Sequence, residues 1–133
     1  MNYLLDSNIC VYLINRKDPV LISRMRRVPI EWVCVSSIVV AELLFGAAKS
    51  AFPVKNRQAI ADFLANLTIL DFDAEAAAHY GDIRASLERK GTPIGPLDLL
   101  IAAHARSRGL TLVTNNEREF TRVDGLKLEN WIK

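Results

Sequence analysis

The sequence predicts an α/β protein, a three-layer α/β/α sandwich in which helices cover both faces of a central, mostly parallel sheet of four to five strands. Short apolar runs of strand length alternate with longer segments of helical periodicity, the pattern of repeated β-α-β units. Capping residues and Pro or Gly breakers fall where one pattern gives way to the next. The chain has 133 residues, 50% hydrophobic and 24% charged, which suits one domain spanning positions 1–133 around a single core.

Tyr3 to Leu5 is the first strand-like run. It stops at Asp6-Ser7-Asn8, and Ile9 to Asn15 reads as a short helix. Asp18 caps a second helix, with Pro19 at its first position and Arg27 at its end. Trp32 to Val35 is the next strand, after which Ser36 or Ser37 caps a helix reaching Lys49. Pro53 opens a helix to Asn66, and Leu67 to Leu70 is a third strand. Asp73 caps a long helix that ends at Lys90, before Gly91-Thr92-Pro93. Gly95-Pro96 opens another, to Arg108, with Gly109 as its stop. Leu110 to Val113 is the fourth strand, and Gly125 to Leu128 a weaker fifth.

Composition excludes several function classes. The formal net charge is +2, so the chain is not a uniformly basic nucleic-acid binder, although local basic patches remain open to it. Cys10 and Cys34 sit in apolar surroundings and read as buried free thiols, and no Cys/His spacing suggests zinc. No apolar run approaches the roughly 20 residues a membrane span requires. A globular, cytoplasmic protein without a membrane partner is expected. His79 and His104 lie in alanine-rich helical stretches and read as helix-surface or satisfied core residues. Nucleotide-loop, serine-hydrolase and HExxH zinc signatures do not occur in the sequence.

The chemistry is concentrated in acids at element junctions. Asp6 ends a buried strand at the point where a helix begins, on the rim where open α/β sheets build their sites. Taken alone, it also reads as a helix cap. Glu42 stands among Ile38, Val39, Val40, Ala41, Leu43, Leu44 and Phe45, a sequence that predicts a helix buried on most sides. A carboxylate there needs a cation, a salt bridge or a wet cleft. Asp98 lies in the first turn after Pro96, where an acid also favours the helix dipole. Three carboxylates brought to one rim repel one another, and a hard divalent cation with oxygen ligands relieves that conflict. Thr114, Asn115 and Asn116 end the fourth strand at the same rim, with Glu119 a turn later. They are suited to orient water or add a ligand, or to cap a helix.

Four blocks resemble the PIN-domain ribonucleases, and within them the VapC toxins of bacterial VapBC toxin–antitoxin pairs. They are Leu4-Leu5-Asp6-Ser7-Asn8, Ser36 through Leu43, Gly95 through Ala105, and Val113-Thr114-Asn115-Asn116, in the family's order. The resemblance extends to Phe120 through Leu126 and to Trp131. It implies Mg2+- or Mn2+-dependent endonucleolytic cleavage of RNA, for which a folded transfer RNA is a suitable target, leaving a 5′-phosphate and a 3′-hydroxyl. Asp6, Glu42 and Asp98 match the family's acidic positions and are its implied catalytic and metal-site residues. Ser7 stands where the family carries a hydroxyl. Asn116 stands where many members carry a fourth acid, so Glu119 becomes the substitute candidate, with Ser7 and Thr114 as auxiliaries. The resemblance also implies a homodimer, and a VapB-type antitoxin that occludes the acidic groove and assembles with the toxin on operator DNA.

An acidic cleft repels RNA, so basic residues around it must hold the phosphates. Arg16, Lys17, Arg24 and Arg84 are the leading candidates. The apolar residues Tyr12, Leu13, Phe45 and Phe52 are candidates for a subunit or antitoxin interface, or for plain core. Two other functions compete. A phosphoacceptor module would need a lysine at the fourth strand's end, where Thr114-Asn115-Asn116 has none. A non-catalytic PIN-like scaffold would act only through a protein partner.

Overall fold

The computed structural model describes residues 2–132 and contains five strands: β1 (Tyr3–Leu5), β2 (Val33–Ser36), β3 (Thr68–Leu70), β4 (Thr111–Val113) and β5 (Lys127–Glu129). They form one sheet in the order β3-β2-β1-β4-β5, and every pairing is parallel. Leu4, Leu5, Val33, Cys34, Val35, Leu112 and Val113 are fully buried, because the central strands are covered on both faces. The two outer strands expose Thr68 and Lys127, polar residues that discourage further edge pairing. The weak fifth run does form a strand, beginning two residues and ending one residue later than its sequence pattern suggests.

From β1 the chain moves outward through α1 (Ser7–Asn15) and α2 (Pro19–Arg27) to β2, then through α3 (Ser37–Ala48) and α4 (Pro53–Leu64) to β3. The pair α5 (Ala74–Lys90) and α6 (Pro96–Ser107) carries it back past β1 to β4, and the short α7 (Glu117–Phe120) leads to β5. Right-handed crossovers place α1–α4 on one face and α5 and α6 on the other. Strand order therefore reverses between β1 and β4. Connections leave these two strands on opposite faces, which opens a crevice at their carboxyl ends.

Helix starts follow the capping residues. Asp18 Oδ1 accepts the Leu21 N–H at 3.0 Å, and Asp73 Oδ1 accepts that of Ala76 at 3.0 Å. Of the two serines at α3, Ser36 is the cap, accepting the Ile38 N–H at 3.1 Å, whereas Ser37 Oγ accepts from Phe72 N at 3.1 Å and ties α3 to the end of β3. A single 3-10 turn (Ile30–Trp32) and α7 were not legible as elements, since neither is long enough to display periodicity.

The expectation that α3 is buried on most sides is corrected. Val39, Leu43 and Ala47 face the core, but Ala41, Leu44, Phe45 and Ala48 form an exposed stripe, with Phe45 66% exposed. An all-round apolar sequence does not distinguish a helix enclosed by its own fold from one whose outer face is free in the single chain. Phe52 and Val54 extend the apolar surface at the start of α4 and are 67% and 73% exposed. Tyr12 is also exposed, whereas Leu13 packs against the core.

His104 is fully buried. Its Nδ1 lies 2.8 Å from Ser36 Oγ and its ring meets Phe72 edge-on, while Nε2 has no partner among the described residues. Burial lowers its pKa, which favours the neutral ring. Cys10 and Cys34 are free and buried, and burial pushes Cys34 up to about 11 and Cys10 well above the ordinary thiol value. Both are held as inert thiols. No helix among the described residues is long and apolar enough to cross a membrane.

α1 ends on Arg16 in the left-handed region, at φ 52°, with its N–H on the Leu13 carbonyl. That conformation disfavours a residue bearing Cβ. Arg16→Gly is expected to raise stability by roughly 0.5–1 kcal/mol in urea unfolding, despite the greater freedom glycine gives the unfolded chain. A loss of stability would show that the Arg16 side chain holds the turn.

Candidate active site

The pairing of β1 with β4 fixes the first two polar groups. Leu5 is in register with Val113, and the Asp6 N–H continues the ladder to the Val113 carbonyl at 3.1 Å. Asp6 and Thr114 are thus the next residues on adjacent strands. Asp6 does cap α1, with Oδ1 accepting the Ile9 N–H at 2.9 Å, and the Thr114 hydroxyl hydrogen-bonds the same carboxylate. Thr114 Oγ1 also accepts the Asn116 N–H at 2.9 Å, so one buried hydroxyl joins the ends of both strands.

Glu42 reaches the rim from the second turn of α3. It is half-buried, and the Ser7 hydroxyl at the start of α1 donates to its Oε1 at 2.7 Å. Asp98 reaches the rim from the first turn of α6. Glu119 comes from α7, the element sequence reading did not resolve. Gly95 donates its backbone N–H to Glu119 Oε1 at 2.6 Å, and Asn116 Nδ2 donates to Glu119 Oε2 at 2.8 Å. A Cβ on Gly95 would sit 3.6 Å from Glu119 Oε1 and 3.7 Å from Asp98 Oδ2, so both acids flank that turn. Glu119 lies close enough to Asp98 for its charge to act on the Asp98 carboxyl. Where the family pattern places an acid, Asn116 instead holds Glu119.

Electrostatics join these residues into one site. Burial, followed by the charges of Glu119, Asp6 and Glu42, pushes Asp98 up to about 6. Burial also raises Asp6, against the hydrogen bonds from Thr114 and Ile9, with Glu42 adding to the rise. Among the described residues, no three Asp, Glu, His or Cys side chains form a ready-made coordination shell. The donor set is nevertheless suited to a hard divalent ion: carboxylate oxygens only, under mutual repulsion. Mg2+ takes one or two carboxylates directly and keeps several waters, so it needs no tight protein cage.

A cavity of about 620 Å³ begins at Ser7 and Glu42 and runs between α1, α3 and α4, with Asn8, Lys55 and Asn56 among its lining residues. Lys55 is the basic side chain among these lining residues, a member of the wider set of basic candidates in the sequence rather than one of the four leading ones. The other basic candidates lie elsewhere. Arg16 and Lys17 follow the far end of α1, roughly 14 Å along the helix from its start. Arg24 lies 3.5 Å from Glu129 and over the Trp131 ring, and Arg84 bonds Tyr80 and Glu88 on α5. Gly95, whose contribution is a backbone N–H, carried no side-chain signal.

The PIN domain family model matches residues 3–126. The chain is 51% identical over 132 residues to "Ribonuclease VapC2" of Haemophilus influenzae, covering 99% of each protein. It is 47% identical over 131 residues to the "tRNA(fMet)-specific endonuclease VapC" of Shigella flexneri, covering 98% of each. Among solved structures, the DNA-bound VapBC of Salmonella typhimurium matches with a TM-score of 0.94 at 45% identity, over 98% of both chains. The VapBC-1 structure from nontypeable Haemophilus influenzae matches over 100% of both chains with a TM-score of 0.92 at 34% identity. With its parallel five-stranded sheet and its acids at the switch point, the chain belongs to the PIN-domain family and, within it, to the VapC ribonucleases.

Proposed function

We propose that the chain is the toxin of a toxin–antitoxin pair and hydrolyses RNA phosphodiester bonds with the help of Mg2+, for which Mn2+ can substitute. The observation that carries this reading is the convergence of Asp6, Glu42, Asp98 and Glu119 on one rim, where each acid acts on the ionisation of Asp98. The specificity named for the Shigella relative supports a transfer RNA as target, and the site is taken to work in the cytoplasm.

Asp6 and Asp98 would hold the ion, with Glu42 and Glu119 completing the ligand set directly or through water. When bound, the ion supplies Lewis-acid stabilisation of the phosphodiester and a water of lowered pKa. The chain's own work is positional. Thr114 and the Ile9 N–H fix Asp6, Ser7 fixes Glu42, and Gly95 with Asn116 fixes Glu119. Carboxylates held in set orientations lose little freedom when the substrate binds. Lys55, in the cavity beside Glu42, offers a phosphate contact on the α4 side.

The cleft from Ser7 to Ile60 and the apolar stripe beside it would be covered by a VapB-type antitoxin and by a second copy of this chain. The solved relatives are toxin–antitoxin complexes, one of them on DNA, which supports an assembly that binds its operator.

Asp6→Asn keeps the shape and the cap while removing the charge. It is expected to lower RNA cleavage by about 10²–10³-fold without loss of fold by circular dichroism. Undiminished cleavage, or equal wild-type activity in excess chelator, would sink the metal-dependent reading.

The raised acids give a pH test. An acid whose folded pKa lies above its unfolded value contributes most to stability below the unfolded pKa. The contribution is lost as pH rises through the folded one. For Asp98 that window runs from 3.8 to about 6, with Asp6 shifted in the same direction. In chelator, the melting temperature should therefore fall as pH rises from 4 to 7. At pH 7, Mg2+ or Mn2+ at a hundred times its Kd should restore about 2.7 kcal/mol. Asp98→Asn should flatten the pH dependence. A flat wild-type profile and no metal response would argue against a shared cation site.

Phe45→Ser and Phe52→Ser remove exposed rings, so they should leave the monomer fold intact, within about 0.5 kcal/mol. Light scattering and antitoxin titration should show weaker self-association or antitoxin binding. Unchanged assembly in both variants would place the interface elsewhere.

A further inference from the structure

A second cavity, of about 390 Å³, lies between α5 and the turn into α6. Tyr80, Arg84 and Glu88 line one wall, and Pro93, Ile94 and Pro96 line the other. Its volume falls within the range of small-ligand sites. It adjoins the acids through the backbone. The turn that forms its second wall contains Gly95, whose N–H holds Glu119, and Pro96 begins the helix that carries Asp98. At roughly 100° per residue, Asp98 stands about 100° from Leu99 and about 160° from Pro96, the two α6 residues that line the cavity, so the acid and the cavity lie on different faces of the same first turn of α6. A strand passing the N-terminus of α6 would meet both places.

The lining chemistry suits a nucleotide. Arg84 Nη1 donates to the Tyr80 hydroxyl at 2.9 Å, and Nε donates to Glu88 Oε2 at 3.3 Å. The guanidinium and the phenol are thereby held beside each other on one wall of the cavity, two planar groups on which a base can stack. A guanidinium has five N–H groups, so three are left for a base edge or a phosphate. The proline rings and Ile94 supply an apolar wall opposite. Arg84 and Arg89, on the last two turns of α5, give this side of the molecule the positive charge that the acidic rim lacks. Proteins that read RNA take up unstacked bases on aromatic and guanidinium planes in this manner.

We propose that this cavity is a nucleobase subsite, which takes one unstacked nucleotide of the RNA substrate next to the scissile phosphate. The subsite rests on the nuclease reading and adds a source of sequence preference to it. Tyr80 and Arg84 stack the base, and the free N–H groups of Arg84 read its edge or its phosphate.

The test is fluorescence anisotropy in the Asp6→Asn background, with labelled RNA hairpins that differ in one loop base. The parent should bind them with a base preference. Arg84→Ala should weaken the preferred hairpin about tenfold and level the series, the loss expected from one stacked base. Arg84→Lys should recover part of the salt-dependent affinity but not the preference, because an ammonium lacks the planar fork. Arg84 is exposed, so both variants are expected to fold. Equal affinity and preference in Arg84→Ala would overturn the subsite. So would a change in oligomeric mass with RNA binding intact, which would assign the cavity to contact with a second copy. Failure of the nuclease reading is separable from both: the wild type would leave RNA uncut with either metal while keeping an Arg84-dependent base preference.

Discussion

The pairing of β1 with β4 is the constraint on which the site depends. Strand order reverses there, so the following connections part to opposite faces and leave the carboxyl ends open. One backbone hydrogen bond beyond the strands, from Asp6 N to the Val113 carbonyl, locks the register of Asp6 against Thr114. The rest of the site is anchored there through short polar links. Thr114 fixes the turn to Asn116, Asn116 holds Glu119, and Glu119 is braced by Gly95 beside Asp98. Each link contributes only about 0.5–3 kcal/mol, so the positions are secured by the buried strands beneath them rather than by any one bond.

The same arrangement sets charge against stability. Four carboxylates share a rim with no basic side chain in an ion pair with any of them among the described residues. Burial, with this unrelieved charge added to it, makes Asp98 and Asp6 resist ionisation. Behind them Cys10 is fully buried, and its thiol is held protonated by burial and by the charges of Asp6 and Glu42. The fold tolerates this because the sheet and its flanking helices bury a continuous apolar core, with each fully buried Leu or Ile worth roughly 1.5–3 kcal/mol. Repulsion kept at the rim and cohesion in the layers below are what the proposed cation site would require of its scaffold.

The surfaces divide along similar lines. α3 contributes Glu42 from its partly buried flank and an apolar stripe from its outer one, so the element that completes the site also carries surface suited to a partner. Lys49 lies 5.0 Å from the Phe45 ring centroid and Lys55 lies 6.0 Å from that of Phe52, giving the exposed rings cationic neighbours. The basic side chains are dispersed over both faces, consistent with a net charge of +2. Attraction of RNA would therefore come from local groups, Lys55 on the α4 side and Arg84 on the α5 side.

The sequence by itself determined the architecture and singled out three acids. Continuous apolar runs, strand length and capping chemistry are local properties, and they identified β1 through β4, the starts of α2 and α3, Asp6 and Asp98 as acids at element junctions, and Glu42 as an acid inside an apolar helix. Only the tertiary structure decided what depends on distant segments. It joined Glu119 to Gly95 across 24 positions and Ser7 to Glu42 across 35. It also drew Arg24 to the β5 edge and turned Phe45 outward. Neither a backbone N–H nor a choice of helix face leaves a mark in residue type, since both arise when the sheet order brings remote elements together. The short α7 escaped for the same reason: four residues carry no period, and its place is set by the β4–β5 connection rather than by its own sequence.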